Sequence, residues 1–338
     1  MVDSRGRVQC WGGNSAGQLG RATAAQADNT PAPIASLSEV EDLAVGERHA
    51  CALGRFANRR TVACWGDGTS GTLGTTTGTS AGQLVEPGVP ADVLAGALDL
   101  DADGDSSSGL TCVADGASVF CFGPAFDGST DGVATEVLAL AGSTRLMVST
   151  HAICGAPDSG PTVCVHMDAT FVDATGCGEG LACAALGADQ HAISAGAEAV
   201  CVTNNGEIRC SGDNSTGLVG PSAPGSPFTG FQDTHAGVAV SVGAQSACGV
   251  LEDGAVACWG RVLFYSSGFA DGTVACDADR CQDVTEVPDT AALAPWVGVS
   301  SRYFGSCALS QAGRVVCWGT MFVNDGEGRA PQALFPAP

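Results

Sequence analysis

The sequence has no lysine, few aromatic residues and no long apolar run. All 14 basic residues are arginine, against 36 acidic residues, and the formal net charge is −22. Proteins hold nucleic acid or an anionic membrane surface through cationic patches, so neither is an expected partner. No apolar stretch approaches the roughly 18 residues of a membrane-spanning helix, so no membrane insertion is expected. The acidic surface is explained by solubility, by a basic partner or by cation binding.

Glycine and cysteine are abundant instead, with 48 and 17 residues. A cysteine that opens Cys-Trp-Gly in four copies recurs at intervals of about 51 residues, a spacing typical of propeller blades. The seven segments that contain it end near residues 12, 66, 123, 166, 212, 260 and 319. We therefore predict an all-β fold, a seven-bladed β-propeller that forms a single domain over residues 1–338.

Six of the seven cysteines have a second cysteine 9 to 13 residues before them. If each pair is opposed across a β-hairpin, a glycine falls in the turn of five hairpins, as tight turns require. These glycines are Gly116, Gly160, Gly206, Gly254 and Gly313. The hairpin between Cys51 and Cys64 is expected to need a longer loop, from Phe56 to Arg60.

Opposed cysteines at a non-hydrogen-bonded site lie about 4.5 Å apart at Cα, a span that a disulfide accepts. The predicted disulfides within hairpins are Cys51–Cys64, Cys112–Cys121, Cys154–Cys164, Cys201–Cys210, Cys248–Cys258 and Cys307–Cys317, and those between hairpins are Cys177–Cys183 and Cys276–Cys281. Zinc is the alternative, but it favours closer cysteine spacings with histidine in register. So many disulfides indicate an oxidising compartment, and the expected location is extracellular, periplasmic or cell-surface.

The same spacing rule gives Cys10 no cysteine partner in this sequence. With Ser4-Arg5-Gly6 as the turn, it lies opposite the position just before Met1. The first blade is therefore expected to be incomplete at the N-terminus. Either the chain begins within a longer protein, or Cys10 is a free thiol that pairs with another molecule.

The unit from His49 to Gly74 and the run Asn-x-x-Gly-Gln-Leu-Gly at residues 14–20 resemble the regulator-of-chromosome-condensation repeat, a family of seven-bladed propellers. The cysteine-rich form is similar to the secreted bacterial branch of that family. The resemblance implies blades whose loops meet a protein partner. Chromatin docking is not expected because it needs positive charge, and a small GTPase is not expected because a disulfide-bonded protein lies outside the reducing cytosol.

The sequence predicts a binding protein and not an enzyme, since no base, nucleophile and orienting residue converge by spacing. The segments after Cys-Trp-Gly vary most in length, so we expect them to present variable loops on one face to a protein partner. The candidate binding residues are the aromatic residues Phe228, Phe231, Phe264, Tyr265 and Phe269. The alternatives are glycan binding, a structural module of a longer surface protein, and an enzyme with an unrecognised site.

One acidic segment matches the start of a calcium loop. Asp99, Asp101 and Asp103 precede Gly104 in the pattern Asp-x-Asp-x-Asp-Gly, but Leu110 stands where the twelfth, bidentate acid belongs. The same segment also fits the apolar strand of a blade followed by a widened turn. No other cofactor is expected.

The histidines and tryptophans of the repeat are expected to be structural. His49 and His151 lie just before a cysteine, and His191 follows a Gly-x-x turn, so each is predicted to hydrogen-bond between neighbouring blades. The tryptophans of Cys-Trp-Gly are predicted to be packing anchors.

Overall fold

The computed structural model describes residues 1–23, 25–75, 83–104, 109–124, 131–149, 152–160, 162–166, 190–195, 199–204, 206–212, 218, 232–243, 246–260, 281–286, 295–302, 305–319 and 332–333. Strands dominate these residues. The two helices among them, α1 (Ala91–Gly96) and a 3-10 turn (Leu138–Leu140), are far shorter than the span of a bilayer. The chain divides into two compact units, Met1–Gly176 and Cys177–Pro338.

The described part of the first unit contains four antiparallel sheets, each with hydrogen-bonded strands in chain order. Their strands are β1 (Gln9–Gly13) and β2 (Ala27–Pro33); β3 (Leu37–Val45), β4 (His49–Phe56) and β5 (Arg59–Gly66); β6 (Asp99–Asp103), β7 (Leu110–Ala114), β8 (Val119–Phe122) and β9 (Thr135–Glu136); and β10 (Arg145–Val148), β11 (Ala152–Ala156) and β12 (Val163–His166).

The second unit follows the same order. Its strands are β13 (Gln190–Ala195), β14 (Ala199–Asn204), β15 (Glu207–Gly212), β16 (Gln232–Val242), β17 (Ser246–Leu251), β18 (Val256–Gly260) and β19 (Cys281–Glu286), then β20 (Trp296–Arg302), β21 (Gly305–Ser310), β22 (Val315–Gly319) and β23 (Gln332–Ala333). The 11-residue strand β16 pairs with β15 through its first half and with β17 through its second half. Two consecutive sheets are therefore continuous through this one strand.

The predicted cross-strand register of the cysteine hairpins is confirmed. The opposed Cα partners are Cys51 and Cys64, Cys112 and Cys121, Cys154 and Cys164, Cys201 and Cys210, Cys248 and Cys258, and Cys307 and Cys317. Five of these pairs are disulfides with Cα–Cα distances of 4.0–4.1 Å, and Cys154 is disulfide-bonded as well. Cys177, Cys183 and Cys276 lie outside the described residues, and Cys281 begins β19.

One turn prediction is wrong. Strands β4 and β5 continue in register to the pair Phe56 and Arg59, so a two-residue turn replaces the longer loop that was expected. Its residues, Ala57 and Asn58, have φ of 50° and 65°. Two positive φ values are typical of a type I′ turn, whose twist suits a hairpin. Alanine is not a preferred residue at positive φ, although the spacing of Cys51 and Cys64 centres the turn on these two residues.

At the start of the chain, the amine of Met1 donates to the Gln9 carbonyl at 3.1 Å and Gln9 N donates back to the Met1 carbonyl at 2.8 Å. Cys10 thus lies one position beyond the last pair of this hairpin, as its predicted register requires. Cys10 is a free cysteine, and burial raises the pKa of its thiol. The thiol is therefore protonated at neutral pH and a weak nucleophile.

The core lies between neighbouring sheets within each unit. Every apolar cluster combines residues of two consecutive sheets, and the disulfides are part of it. The largest buried side chains are those of Trp65, Trp259 and Trp318. A single sheet cannot cover both of its faces, so stacking of repeats supplies the burial that stabilises them.

Candidate functional site

Within each unit, the strand that precedes a cysteine hairpin, here called the leading strand, is linked to the next leading strand of that unit by side-chain acceptors. The leading strands are β3, β6 and β10 in the first unit and β13, β16 and β20 in the second. Asp101 accepts from Val148 N at 2.7 Å, Ser194 from Val242 N at 2.8 Å, and Ser241 from Ser301 N at 2.9 Å. The three acceptors stand opposite the first cysteine of their hairpins, so this link is part of the repeat.

A second link lies two residues earlier on the leading strands of the first unit. Asp42 Oδ2 accepts from Leu100 N at 3.0 Å, and Asp99 accepts from Leu146 N. Because Asp42 is bound to the amide that follows Asp99, the two carboxyl groups lie side by side where β3 meets β6. Burial of Asp99, together with a hydrogen bond to Asp42 and the charge of that group, raises the pKa of Asp99 to about 8.

These contacts favour the strand interpretation of Asp99, Asp101 and Asp103, and calcium binding at these residues stays a prediction. The three residues lie in strand β6 and not in a loop. Alternate residues of a strand are roughly 6.5–7 Å apart, and two of these carboxylates already accept backbone amides of β10. Within the described ranges, no group of three or more His, Cys, Asp or Glu side chains is placed to hold a metal ion.

Two tryptophans of Cys-Trp-Gly, Trp65 and Trp259, connect consecutive repeats through their indole N–H. Trp65 Nε1 donates to the Gln18 carbonyl at 2.9 Å, and Trp259 Nε1 donates to the Leu218 carbonyl at 2.9 Å. Both acceptors occupy the same place in the Gly-rich segment of the preceding repeat. A Cβ added at Gly20 would lie 2.9 Å from the indole of Trp65, so only glycine fits there. The structure thus gives these tryptophans a packing role.

In the third repeat, a residue other than tryptophan donates the equivalent hydrogen bond to the preceding repeat. Phe122 replaces tryptophan, and the residue opposite it in register is Thr111. The Thr111 hydroxyl donates to the Thr72 carbonyl at 3.3 Å, which is the acceptor equivalent to that of Gln18. His49 Nε2 lies 3.0 Å from the same hydroxyl and is almost fully buried, so it links neighbouring sheets as predicted. His151 and the side chain of His191 lie outside what the structure describes.

Three repeats expose an apolar side chain at one equivalent position, three residues before the one that faces the first cysteine. Leu98, Val238 and Val297 are 53, 52 and 52 % exposed, and are called here the leading-end residues. The two valines lie within register shifts of their strands, where a β-bulge turns a side chain outward. Leu309, opposite Gly298, extends the exposed apolar surface beside Val297.

The hairpin turn beside Val238 carries two exposed acidic residues, Glu252 and Asp253. Positive charge is concentrated elsewhere. Residues 1–60 contain seven arginines and six acidic residues, so the other 278 residues carry seven arginines and 30 acidic residues. The negative charge therefore belongs almost entirely to the chain beyond residue 60.

Six of the seven arginines of residues 1–60 are held in ion pairs. Arg60 binds Glu41 at 2.6 Å and also donates to the Ala95 and Ala97 carbonyls at 2.7 and 2.8 Å, and its hydrogen bonds to Glu41 lower the pKa of that carboxyl. The other pairs are Arg7–Asp3, Arg21–Asp28, Arg48–Asp67, Arg55–Glu39 and Arg59–Glu86. Exposed pairs of this kind contribute little to stability, and they leave little free positive charge.

The aromatic residues predicted to bind a partner lie outside the described residues, namely Phe228, Phe231, Phe264, Tyr265 and Phe269. The loops after Cys-Trp-Gly leave the sheets on the opposite side from the leading-end residues. Two features of that side are described: Asp67 N donates to the Arg48 carbonyl at 2.8 Å, and the side chain of Val45 is 48 % exposed. Sequence reasoning singled out this side and missed the leading-end residues. The leading-end residues could have been found from the sequence, because each is a leucine or valine at a similar distance before the first cysteine of its hairpin.

The comparisons with known proteins agree with this description. The model of the regulator of chromosome condensation (RCC1) repeat matches residues 5–53. The structure of Prp20p from Saccharomyces cerevisiae, reported with its binding to Gsp1p and histones, is 15 % identical, with a TM-score of 0.77 over 99 % of this chain and 87 % of that one. Human WBSCR16 is 13 % identical, with a TM-score of 0.78 over 98 % of this chain and 94 % of that one.

Yeast RCC1 (Prp20) bound to Kap60 is 16 % identical, with a TM-score of 0.76 over 99 % of this chain and 85 % of that one. The comparison with curated protein sequences gives no match. At these identities the structural likeness establishes the fold, while the number of blades and the bacterial branch stay predictions. Residues 5–53 carry an RCC1 repeat, and the chain has the fold of the RCC1-type β-propellers.

Proposed function

We propose that this chain is a non-enzymatic protein-binding module that works outside the reducing cytosol and takes a basic protein as its partner. RCC1-type propellers are typically protein-interaction modules. The observation that carries the proposal is the repeated exposure of an apolar residue at Leu98, Val238 and Val297 on a chain of net charge −22. Exposed apolar side chains beside a charged rim are typical of protein docking sites.

The expected chemistry of the partner follows from the charges. Glu252 and Asp253 stand exposed beside Val238, and lysine or arginine side chains of a partner would be attracted to them. Such steering raises association rates and weakens with salt, whereas the apolar contact does not. Binding is therefore expected to become slower and weaker as ionic strength rises.

The proposed location is supported by the disulfides. Five of them lie in the core, and nine of their ten cysteines are at most 3 % exposed. Disulfides persist in extracellular and periplasmic surroundings and are rare in the cytosol. The sequence predicts that a small GTPase is not a partner. The structural likeness to Prp20p does not support that exclusion, so the proposal does not include it.

The proposal that the chain is not an enzyme rests on how poorly a substrate could reach the imidazole–hydroxyl pair described below. His49 and Thr111 form the imidazole–hydroxyl contact that a base and nucleophile would make, but they are only 1 and 0 % exposed. A substrate cannot reach a hydroxyl that is sealed between two sheets. Their contact is explained by the link that it makes between those sheets.

The test is capture of partners from the native extracellular fluid, with quantitative mass spectrometry and then direct binding of the purified partner. The double variant Val238→Asn with Val297→Asn should weaken binding at least tenfold, since it replaces the proposed apolar contact by polar amides without changing the net charge. Val45→Asn is the matched control, because Val45 is similarly exposed at the other end of a leading strand. If Val45→Asn abolishes binding and the double variant does not, or if the captured protein is acidic, the proposal is wrong.

A further inference from the structure

The junction of β3 and β6 places two carboxyl groups side by side, and each of them already accepts a backbone amide of a neighbouring leading strand. Asp42 takes Leu100 N, and Asp99 reaches across to Leu146 N on β10. The two groups sit at equivalent positions of consecutive leading strands, two residues before those that face Cys51 and Cys112. Two ionised carboxylates that lie side by side repel each other, and partial burial strengthens that repulsion.

The surroundings supply few compensating charges. On the elements packed against β6, the charged or titratable groups are Glu39, Glu41 and Asp42 on β3, His49 and Arg55 on β4, and Arg145 on β10, while β7 has none and β6 itself adds Asp101 and Asp103. Arg55 is bound to Glu39, and His49 to Thr111. Acidic groups thus outnumber basic ones around Asp99, which favours its neutral form.

We infer that Asp42 and Asp99 share one proton in the folded chain, and that this proton holds β3 to β6, so that a rise in pH loosens the junction. With the proton present, one carboxyl group donates to the other, and both still accept their backbone amides. Without it, two negative charges face each other across the junction. The raised pKa of Asp99 agrees with this arrangement in direction.

The junction is next to one of the leading-end residues in the chain. Leu98 precedes Asp99, and Leu98 N donates to the Ala114 carbonyl at 2.8 Å. Loosening β6 would therefore move the exposed Leu98 side chain. This consequence for binding rests on the proposed function, whereas the shared proton does not, and the two are tested by separate measurements.

The test compares the pH dependence of stability in the wild type and in Asp99→Asn. The asparagine amide can donate to Asp42 while its carbonyl accepts from Leu146 N, so both contacts persist without a titrating proton. Because the folded pKa is raised, the stabilisation is complete below the unfolded value and is lost as pH rises through the folded value. The wild type should lose up to about tenfold in its folding equilibrium constant per pH unit between about pH 4 and pH 8, relative to the variant.

Asp42→Asn is a second variant with the same expectation, because its amide can donate to Asp99. Asp92→Asn is the charge-matched control, since Asp92 is exposed at the start of α1, and it should keep the wild-type profile. Hydrogen exchange at Leu100 and Leu146 reports the junction locally, and the Val242 amide, bound to the neutral Ser194, is the internal reference. Parallel pH profiles in the wild type and both asparagine variants would overturn the inference.

A measurement on the wild type alone covers the case in which neither variant folds. Ordinary carboxyl groups are ionised at about pH 6, so an infrared carboxylic-acid band at that pH reports a retained proton. The band should be present at about pH 6 and disappear by about pH 9. Its absence at the lower pH would refute the shared proton, and binding data on the leading-end variants would be unaffected by that result.

Discussion

The exchange of an indole for a threonine hydroxyl between repeats predicts a specific rescue. In the second repeat Trp65 donates to the Gln18 carbonyl and stands opposite Ala50. In the third repeat Phe122 stands opposite Thr111, whose hydroxyl serves the equivalent carbonyl. Trp65→Phe should therefore be destabilising alone and should be partly rescued by Ala50→Thr.

The magnitudes follow from the contacts. Trp65 is fully buried, so the smaller ring leaves a cavity that costs about 1–2 kcal/mol. The unsatisfied carbonyl of Gln18 adds about 1–3 kcal/mol. Ala50→Thr alone crowds the indole and is expected to cost about 1–3 kcal/mol. In the double variant the hydroxyl occupies the space left by the indole and restores one hydrogen bond, so the two changes together should cost at least about 2 kcal/mol less than their sum.

The assay is a double-mutant cycle measured by denaturant unfolding in oxidising buffer, with all four proteins followed by circular dichroism. A reference pair, Trp65→Phe with Ala312→Thr, should be additive because Ala312 is exposed in a hairpin turn and belongs to the other unit. If the coupling between positions 50 and 65 lies within about 0.5 kcal/mol of zero, the two hydrogen bonds are not equivalent solutions and the reasoning fails.

Three further predictions concern the hairpins. Replacing Cys248 and Cys258 by alanine should cost about 2.5–3 kcal/mol by the loop-entropy model, read from the shift of the unfolding midpoint, and no loss would contradict the register-based account. Ala57→Gly should raise the free energy of unfolding by about 0.5–1 kcal/mol because it relieves a positive φ, whereas a longer loop at this site would show no gain. One cysteine added immediately before Met1 should form a disulfide with Cys10, seen as the loss of the free thiol by mass spectrometry without reductant; a serine added there is the control, and a thiol that persists would refute the register.

The hairpin register could be read from the sequence because two independent signals agree. Cysteine spacing fixes the centre of each turn, and a glycine with positive φ occurs there in five hairpins, as Gly254 and Gly313 illustrate. The remaining turn failed because Ala57 is forced into positive φ by the pairing of β4 and β5, and no local preference announces that. Spacing arithmetic alone was the better guide at this position.

The acidic junction could not be read from the sequence. Asp42 and Asp99 are far apart in the chain, and their contact depends on the stacking of consecutive sheets. The run Asp99–Asp103 fits a calcium loop and an alternating strand equally well by composition. In the structure this run pairs with β7 and is therefore a strand, and such pairing depends on the folded chain and not on the local sequence.

Strand β16 limits how this chain can change in length. Between β2 and β3, residues Ile34–Ser36 separate the end of one sheet from the start of the next, and an insertion there would only lengthen a connection. Between Ala236 and Gly237 no such connection exists, because one residue still belongs to the preceding sheet and the next already belongs to the following one. An added or deleted residue at that point would reverse the facing of every side chain on one side of it, so evolution can vary the surface connections of this chain freely but not this one.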